Sequence, residues 1–289
     1  MTIAPGEFAA VQHLVLDRAA IVIEPGKEYL VDSRLTTLAR DENFPSIKEL
    51  LDAIRTHRGG PLEQKVIEAL TTNETSFYRD VKPFDALRLQ ILPELIEARR
   101  VTRSLTIWSG AASTGQETYS IAILIREHFP KLSGWTVRIL GTDLSSEVLV
   151  KARSGKYTQH EVERGLTEPL LLRYFERDGT QWRVNDVIRR MVEFKELNLA
   201  ATWPALPKPD VVFLRNVLIY LDLNARRKIL GRIADMIATD GYLFLGAGET
   251  PNNLDPSFDR VDIDKAGCFR LSASATSASS GGSRATHLR

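Results

Sequence analysis

Residues 108–117, WSGAASTGQE, join an apolar β-rich run, SLTIW, to a stretch with helical spacing, QETYSIAILIREHF. Small residues at a strand-to-helix turn let backbone amides and the helix N-terminus approach a ligand closely; the alternative is a tight connection that holds nothing. Gly110 and Gly115 stand at the GxxxxG spacing of a phosphate-binding loop, yet Gln116 and Glu117 follow where Lys and Ser or Thr are needed. The dinucleotide pattern GxGxxG fails as well, because Ala112 occupies its middle position. Glu117 would repel a triphosphate or a pyrophosphate. The ligand this loop tolerates is a phosphate-free adenosine derivative with positive charge. S-adenosylmethionine (AdoMet), with a sulfonium, an ammonium and one carboxylate, has that composition.

Other polar residues fall where strands end. Asp143 closes VRILGTD, the place where Rossmann-like sheets keep a carboxylate for ribose hydroxyls. It is also suited to cap the helix that SSEVLVKARSG predicts, as are Ser145 and Ser146. Asn198 ends VEFKELNL, and Arg215 and Asn216 follow the apolar run DVVFL, at the carboxyl edge where open α/β sheets bind ligands. The two asparagines have the amide groups to bracket an adenine ring or, equally, to satisfy loop backbone. Upstream, NETSFYRD spans residues 73–80. There Arg79 carries a planar fork for a carboxylate such as the amino-acid end of AdoMet, while in a plainer reading Asn73 caps a helix end.

These residues need a scaffold, and the rest of the chain describes one. Of 289 residues, 43% are hydrophobic and 26% charged, an ordinary globular composition long enough for one large domain or two modest ones. The 38 basic and 37 acidic residues leave a formal net charge of +1, so no broad field collects nucleic acid or anionic lipid. The single cysteine, Cys268, forms no disulfide within the chain and no CxxC metal site, and a cytoplasmic protein without a metal is expected. The longest apolar runs, such as 217–221, are far shorter than the roughly 20 residues of a membrane span, so no membrane insertion is expected. MTIAPGEFAAV lacks the basic start and apolar stretch of a secretory signal.

Residues 1–82 read as a helical domain of three or four short helices. Ile47, Leu50, Leu51 and Ile54, then Leu62, Val66, Ile67 and Leu70, recur at helical spacing, with breaks at Pro25-Gly26, 43–46 and Gly59-Gly60-Pro61. Residues 83–103 read as a linker helix, opened by Pro83 and kinked at Pro93. From 104 to 271 strands and helices alternate, the βαβ signature of a mostly parallel sheet. The rhythm lapses between about 166 and 193, where an Asp178-Gly179 turn predicts a small antiparallel insertion. Residues 272–289 have too little apolar surface to offset their ordering entropy, so a disordered tail is expected.

Together, NETSFYR, IWSGAASTGQETYSIA, LGTDLS, LNL and RNVLIY resemble the CheR-type chemoreceptor (chemotaxis) protein-glutamate O-methyltransferases over about residues 10–271. The resemblance implies an α/β fold: a class I AdoMet-dependent methyltransferase domain with a Rossmann-like, mostly parallel seven-stranded sheet, an N-terminal all-α domain and a small antiparallel β insertion. It implies S-adenosyl-L-methionine as cofactor and S-adenosyl-L-homocysteine as product. The acceptors it implies are glutamates on the cytoplasmic helices of methyl-accepting chemoreceptors, which become methyl esters in chemotaxis adaptation. Carried onto this chain, the family's cofactor contacts fall on Asn73, Thr75, Arg79, Glu117, Asp143, Asn198, Leu199, Arg215 and Asn216. Tyr220 falls where the family keeps a tyrosine close to the transferred methyl, and Tyr220 and Arg79 are the residues expected to serve the transfer step.

Two departures shape the expectation further. Members that dock on a receptor's C-terminal pentapeptide have a longer glycine-containing turn than ERDGTQWRV, so methylation independent of that tether is expected. The family's second helix is often arginine-rich, whereas YLVDSRLTTLARD has only Arg34 and Arg40 as bases. Attraction to an acidic receptor helix is therefore expected to be weak or to come from other residues, and a monomer is expected.

A glutamate carboxylate, with a pKa of about 4.3, is already ionised at pH 7 and needs no general base. The enzyme's task is then positioning and the exclusion of water. Methylation of nucleic-acid amino groups is disfavoured by the balanced charge and by Val-Leu-Ile-Tyr after Asn216, where such enzymes have Pro-Pro-Tyr or Pro-Pro-Phe. The missing middle glycine disfavours a nicotinamide oxidoreductase. A non-catalytic AdoMet sensor or adaptor, or a methyltransferase with another protein acceptor, shares the fold and is the alternative.

Overall fold

The periodic apolar segments at the N-terminus fold into four helices, α1 (Pro5–Ala19), α2 (Glu28–Asp41), α3 (Ile47–Thr56) and α4 (Pro61–Leu70). Proline opens α1 and α4, where its missing N–H leaves no bond unmade, and the Ser46 hydroxyl caps α3 by accepting the Glu49 N–H at 3.3 Å. Val11, Val15, Val31, Leu35, Leu50 and Val66 meet in one core. This is a computed structural model that describes residues 3–273 and 275, so the tail expected over 272–289 lies, from residue 276 on, outside the described residues.

The helical segment that follows has three parts: α5 (Lys82–Ala86), a π turn (Leu87–Ile91) and α6 (Leu92–Ala98). Pro93 has no N–H, and its ring crowds the carbonyl four residues back. The wide turn just ahead of it takes up that mismatch where the sequence suggests a kink.

The sheet begins with β1 (Ser104–Gly110), α7 (Gln116–His128), β2 (Thr136–Asp143) and α8 (Ser146–Ser154). The chain then leaves it for β3 (Lys156–Tyr157), α9 (Gln159–Glu163), α10 (Glu168–Tyr174), β4 (Phe175–Asp178), β5 (Gln181–Val184) and α11 (Asp186–Arg189). It returns as β6 (Val192–Glu196), β7 (Val211–Leu214), α12 (Leu223–Met236), β8 (Tyr242–Leu245), β9 (Phe258–Val261) and β10 (Cys268–Leu271). The seven strands lie in the order β6-β2-β1-β7-β8-β10-β9, and β10 alone runs antiparallel to its neighbours. Every residue of β7 and β8 is buried, which is why DVVFL and YLFL read as unbroken apolar runs rather than as alternation. The small sheet is antiparallel, in the order β3-β5-β4. A two-residue turn joins β4 to β5 between the paired Asp178 and Gln181, with Gly179 at a φ of +62°. Its first strand, β3, precedes the irregular segment read between 166 and 193.

Among the bonds that hold the helical domain to the sheet, two sets stand out. At one, Glu68 of α4 meets the start of α8, its carboxylate accepting from the Ser145 hydroxyl (3.0 Å) and from the Ser146 N–H and hydroxyl (both 3.2 Å). At the other, the chain leaving α1 pairs with the chain entering α12: Val22 N–H donates to Tyr220 O and Asp222 N–H to Ala20 O, both at 2.9 Å, around an antiparallel bridge between Ile21 and Leu221. Among the described residues no helix is long and apolar enough to cross a membrane.

Candidate active site

The loop after β1 is wound through left-handed backbone, with Ala111 at φ +54°, Ser113 at +51° and Gly115 at +95°. Gly115 is needed there twice over, since a Cβ would add strain at that φ and would stand 3.0 Å from the Ala152 Cβ. The winding turns the Ser113 N–H onto Asp143 Oδ2 (2.8 Å), while the Ser145 N–H donates to Oδ1 (2.9 Å). Asp143 thus ends β2 as a carboxylate held on both oxygens by backbone. Burial raises its carboxyl above the ordinary value, and the N–H groups of Ser145, Ser113 and Leu144 offset only part of that rise. It does not cap α8. That role belongs to Ser145, whose hydroxyl accepts from the Val148 N–H.

Beside it lies a chain of charges. Glu117, in the first turn of α7, accepts from the Ser109 hydroxyl (2.8 Å) and pairs with Arg215 Nη1 (2.9 Å). Arg215 Nη2 donates to the Arg79 carbonyl (3.0 Å) and to Asp80 Oδ2 (2.7 Å), and the Arg215 side chain is only 1% exposed. The acid after the loop is therefore neutralised within the protein, and Arg215 is the rivet between β7 and the segment NETSFYRD. Tyr78, Asp80 and Val81 all have positive φ, strain that sits directly beside Arg79. Arg79 itself donates to the Glu74 carbonyl at 2.9 Å, and the Asn73 carbonyl accepts from the Ser113 hydroxyl at 2.8 Å. Asn73 follows α4 and caps no helix start.

The third wall comes from the ends of β6 and β7. The Asn198 amide donates to the Arg18 carbonyl (2.7 Å) and its oxygen accepts from the Ala200 N–H (2.9 Å), so its side chain serves the backbone, the plainer of its two readings. Asn216 stands at φ +58°, and the segment around it is held by Glu249. The Glu249 carboxylate accepts four backbone N–H groups, from Gly246 (2.7 Å), Asn216 (2.7 Å), Val217 (2.9 Å) and Ile219 (3.3 Å). Glu249 lies 33 residues beyond Asn216 in the chain, and nothing in GAGET singles it out; its part is visible only in three dimensions. The turn it holds ends at Tyr220, which is 37% exposed.

These walls enclose a cleft of about 1030 Å³, part of it open solvent, at the carboxyl edge of the sheet. Asn73, Thr75, Arg79, Glu117, Asp143, Asn198, Leu199, Arg215, Asn216 and Tyr220 all line it. Its remaining lining is largely apolar, including Ala111, Ala112, Leu144 and Leu197, and contains no lysine and no histidine. Its charged side chains are three carboxylates, Glu74, Glu117 and Asp143, and two guanidiniums, Arg79 and Arg215. A phosphate group would meet three carboxylates, Glu74, Glu117 and Asp143, whereas a nucleoside with a positive centre meets apolar walls and more acidic than basic side chains. The residues fit AdoMet.

Known proteins carry the same pattern. The family described as "CheR methyltransferase, SAM binding domain" matches residues 73–266, and "CheR methyltransferase, all-alpha domain" matches residues 6–71. The chain is 41% identical over 274 residues to "Chemotaxis protein methyltransferase 1" of Pseudomonas aeruginosa, covering 93% of this chain and 99% of that one. It is 39% identical to "Chemotaxis protein methyltransferase Cher2" of Pseudomonas putida, over 83% of this chain and 89% of the other. It is 34% identical to "Chemotaxis protein methyltransferase" of Escherichia coli, over 89% of each.

Proposed function

Because the chain belongs to the CheR methyltransferase family and is an AdoMet-dependent methyltransferase, we propose that it esterifies glutamate side chains on the cytoplasmic helices of methyl-accepting chemoreceptors. The observation that supports this best is the cleft itself: largely apolar, lined by three carboxylates, and open at Tyr220. The names of the relatives point to chemotaxis, and they favour an enzyme over a non-catalytic sensor. The short turn between β4 and β5 supports methylation without a receptor pentapeptide tether.

We assign Asp143 to the ribose hydroxyls and Leu199, with Leu144 and Ala112, to the walls of the base. Asn73, Thr75 and Arg79 take the amino-acid end. The Glu117–Arg215 pair and Asn216 frame the space between, and Asn198 shapes the wall through its bonds to Arg18 and Ala200. When bound, AdoMet supplies a methyl group on a positively charged sulfur, open to in-line displacement. The acceptor carboxylate is ionised at neutral pH and the lining has no histidine, so the residues move no proton. Tyr220, at the mouth, orients the acceptor. Arg79 belongs with the cofactor, since an arginine gripping the acceptor would stabilise the ground state and slow transfer. Ordering both partners in the cleft can lower the barrier by up to about 7–11 kcal/mol.

The test mixes purified protein, methyl-labelled AdoMet and receptor cytoplasmic fragments. Label on the receptor that is released by mild alkali is the expected result. Label that survives alkali overturns the ester, and absence of label from a protein that still binds S-adenosylhomocysteine overturns the acceptor.

A further inference from the structure

The mouth of the cleft continues into an exposed apolar face. Val22, Ile219, Tyr220 and Leu223 are 37–51% exposed, and backbone bonds draw them together: Val22 N–H donates to Tyr220 O, and Asp222, just ahead of Leu223, donates to Ala20 O. Single exposed apolar residues are ordinary; four gathered around a substrate opening mark a contact surface. Beside them runs the outer face of α12. Arg226 is tucked beneath the turn, its guanidinium donating to the carbonyls of Leu221 (2.8 Å) and Ile219 (3.2 Å). Arg227, one helical turn from Leu223, and Lys228 are exposed, and among the described residues no ion pair engages either. The acid at this end, Asp222, is held in the helix cap by the N–H groups of Asn224 and Ala225.

The bases of α2 are differently placed. In α2, Arg34 is turned inward onto the carbonyls of Ala69 (3.3 Å) and Thr71 (2.8 Å), and Arg40 pairs with its neighbour Asp41. Glu28, Asp32 and Asp41 outnumber these two bases, whereas on α12 Arg226 and Arg232 are turned onto carbonyls but Arg227 and Lys228 stay exposed, and Asp235 is the only acid within the helix.

Resting on the acceptor class proposed above, we infer that an acidic amphipathic helix bearing the acceptor glutamate docks across this face. Its apolar side lies on Val22, Ile219 and Leu223, and its carboxylates face Arg227 and Lys228. The contact is an apolar strip for register with charge for capture. The double variant Arg227→Glu, Lys228→Glu is expected to raise the KM for a receptor fragment at least about tenfold while kcat and the affinity for S-adenosylhomocysteine hold. The fall of kcat/KM with added salt, steep in the native protein, is expected to flatten in this variant. Arg227→Lys, Lys228→Arg is expected to restore both, and Leu223→Ser to raise KM with the salt dependence kept. An unchanged KM and salt slope in the charge-reversed protein, with the native protein active, overturns the docking face alone. Light scattering that shows a native dimer dissolved by Leu223→Ser overturns it in favour of a second copy of the chain. A native protein that labels no receptor fragment overturns the acceptor class, and the docking face with it.

Discussion

Burial raises the carboxyl of Asp143, and two backbone N–H groups hold its oxygens, one from the loop after β1 and one from the start of α8. Removing it strips a charged acceptor from the cleft and leaves the Ser113 and Ser145 amides without theirs. Asp143→Ala is expected to weaken S-adenosylhomocysteine binding by about 1–3 kcal/mol, read by calorimetry, and to lower the melting temperature as well. An unchanged affinity would remove Asp143 from the ribose site. Tyr220 stands at the opposite extreme, more than a third exposed at the opening. Tyr220→Phe is expected to lower turnover more than cofactor affinity, and equal losses in both would mark a merely structural ring. Such residues are legible in a sequence because each sits at a boundary whose type can be read: the end of a β run, the first turn of a helix, the tail of RNVLIY. What cannot be read is the choice among equivalent chemistries. Asp143, Ser145 and Ser146 are all good caps, and only geometry shows that Ser145 takes the role. Likewise Glu117 announces a negative charge, but its neutralisation by Arg215 depends on a contact across 98 residues of chain.

The elements that bring these side chains together follow a period the sequence displays. The βα alternation from β1 to α8 and the Asp-Gly turn between β4 and β5 are found where the pattern puts them. Short elements escape because they have no period: β3 is two residues long, and β9, FDRV, buries only Phe258 fully. The turn from Asn216 to Tyr220 is hidden for another reason: beyond the strand end at Leu214 the run 217–221 is apolar and shows no turn residue. Glu249 holds that turn away from the strand with four accepted N–H bonds. Glu249→Ala is therefore expected to destabilise the fold by about 1–3 kcal/mol, since four backbone donors, one of them fully buried, lose their acceptor at once. Glu249→Gln, which keeps one carbonyl oxygen, is expected to lose less. Thermal unfolding beside single-turnover rates checks both, and a kcat unchanged by Glu249→Ala would show that the turn holds Tyr220 without it.

At the scale of the molecule, charged and backbone bonds cross between the two domains. Glu68 is the titrating member of that contact. Burial acts to raise its carboxyl, but hydrogen bonds from Gln64, Ser146, Ser145 and Glu147 outweigh it and hold the group below its ordinary value of 4.5. A carboxyl depressed on folding adds stability above its unfolded pKa and withdraws it as pH falls through the lower folded value. Melting temperatures are thus expected to drop below about pH 4.5, and Glu68→Gln to reduce that drop; an identical acid limb in the variant would remove Glu68 from the contact. The other tie has a consequence for biosynthesis. Ile21 and Leu221 are bridged although 200 residues part them, so the opening beside Tyr220 is the product of a very long loop closure, slow relative to local helix formation. On the ribosome the four N-terminal helices emerge early and must wait for the strand that completes the wall. A nascent chain is therefore expected to hold no cofactor until the segment around Leu221 has been made.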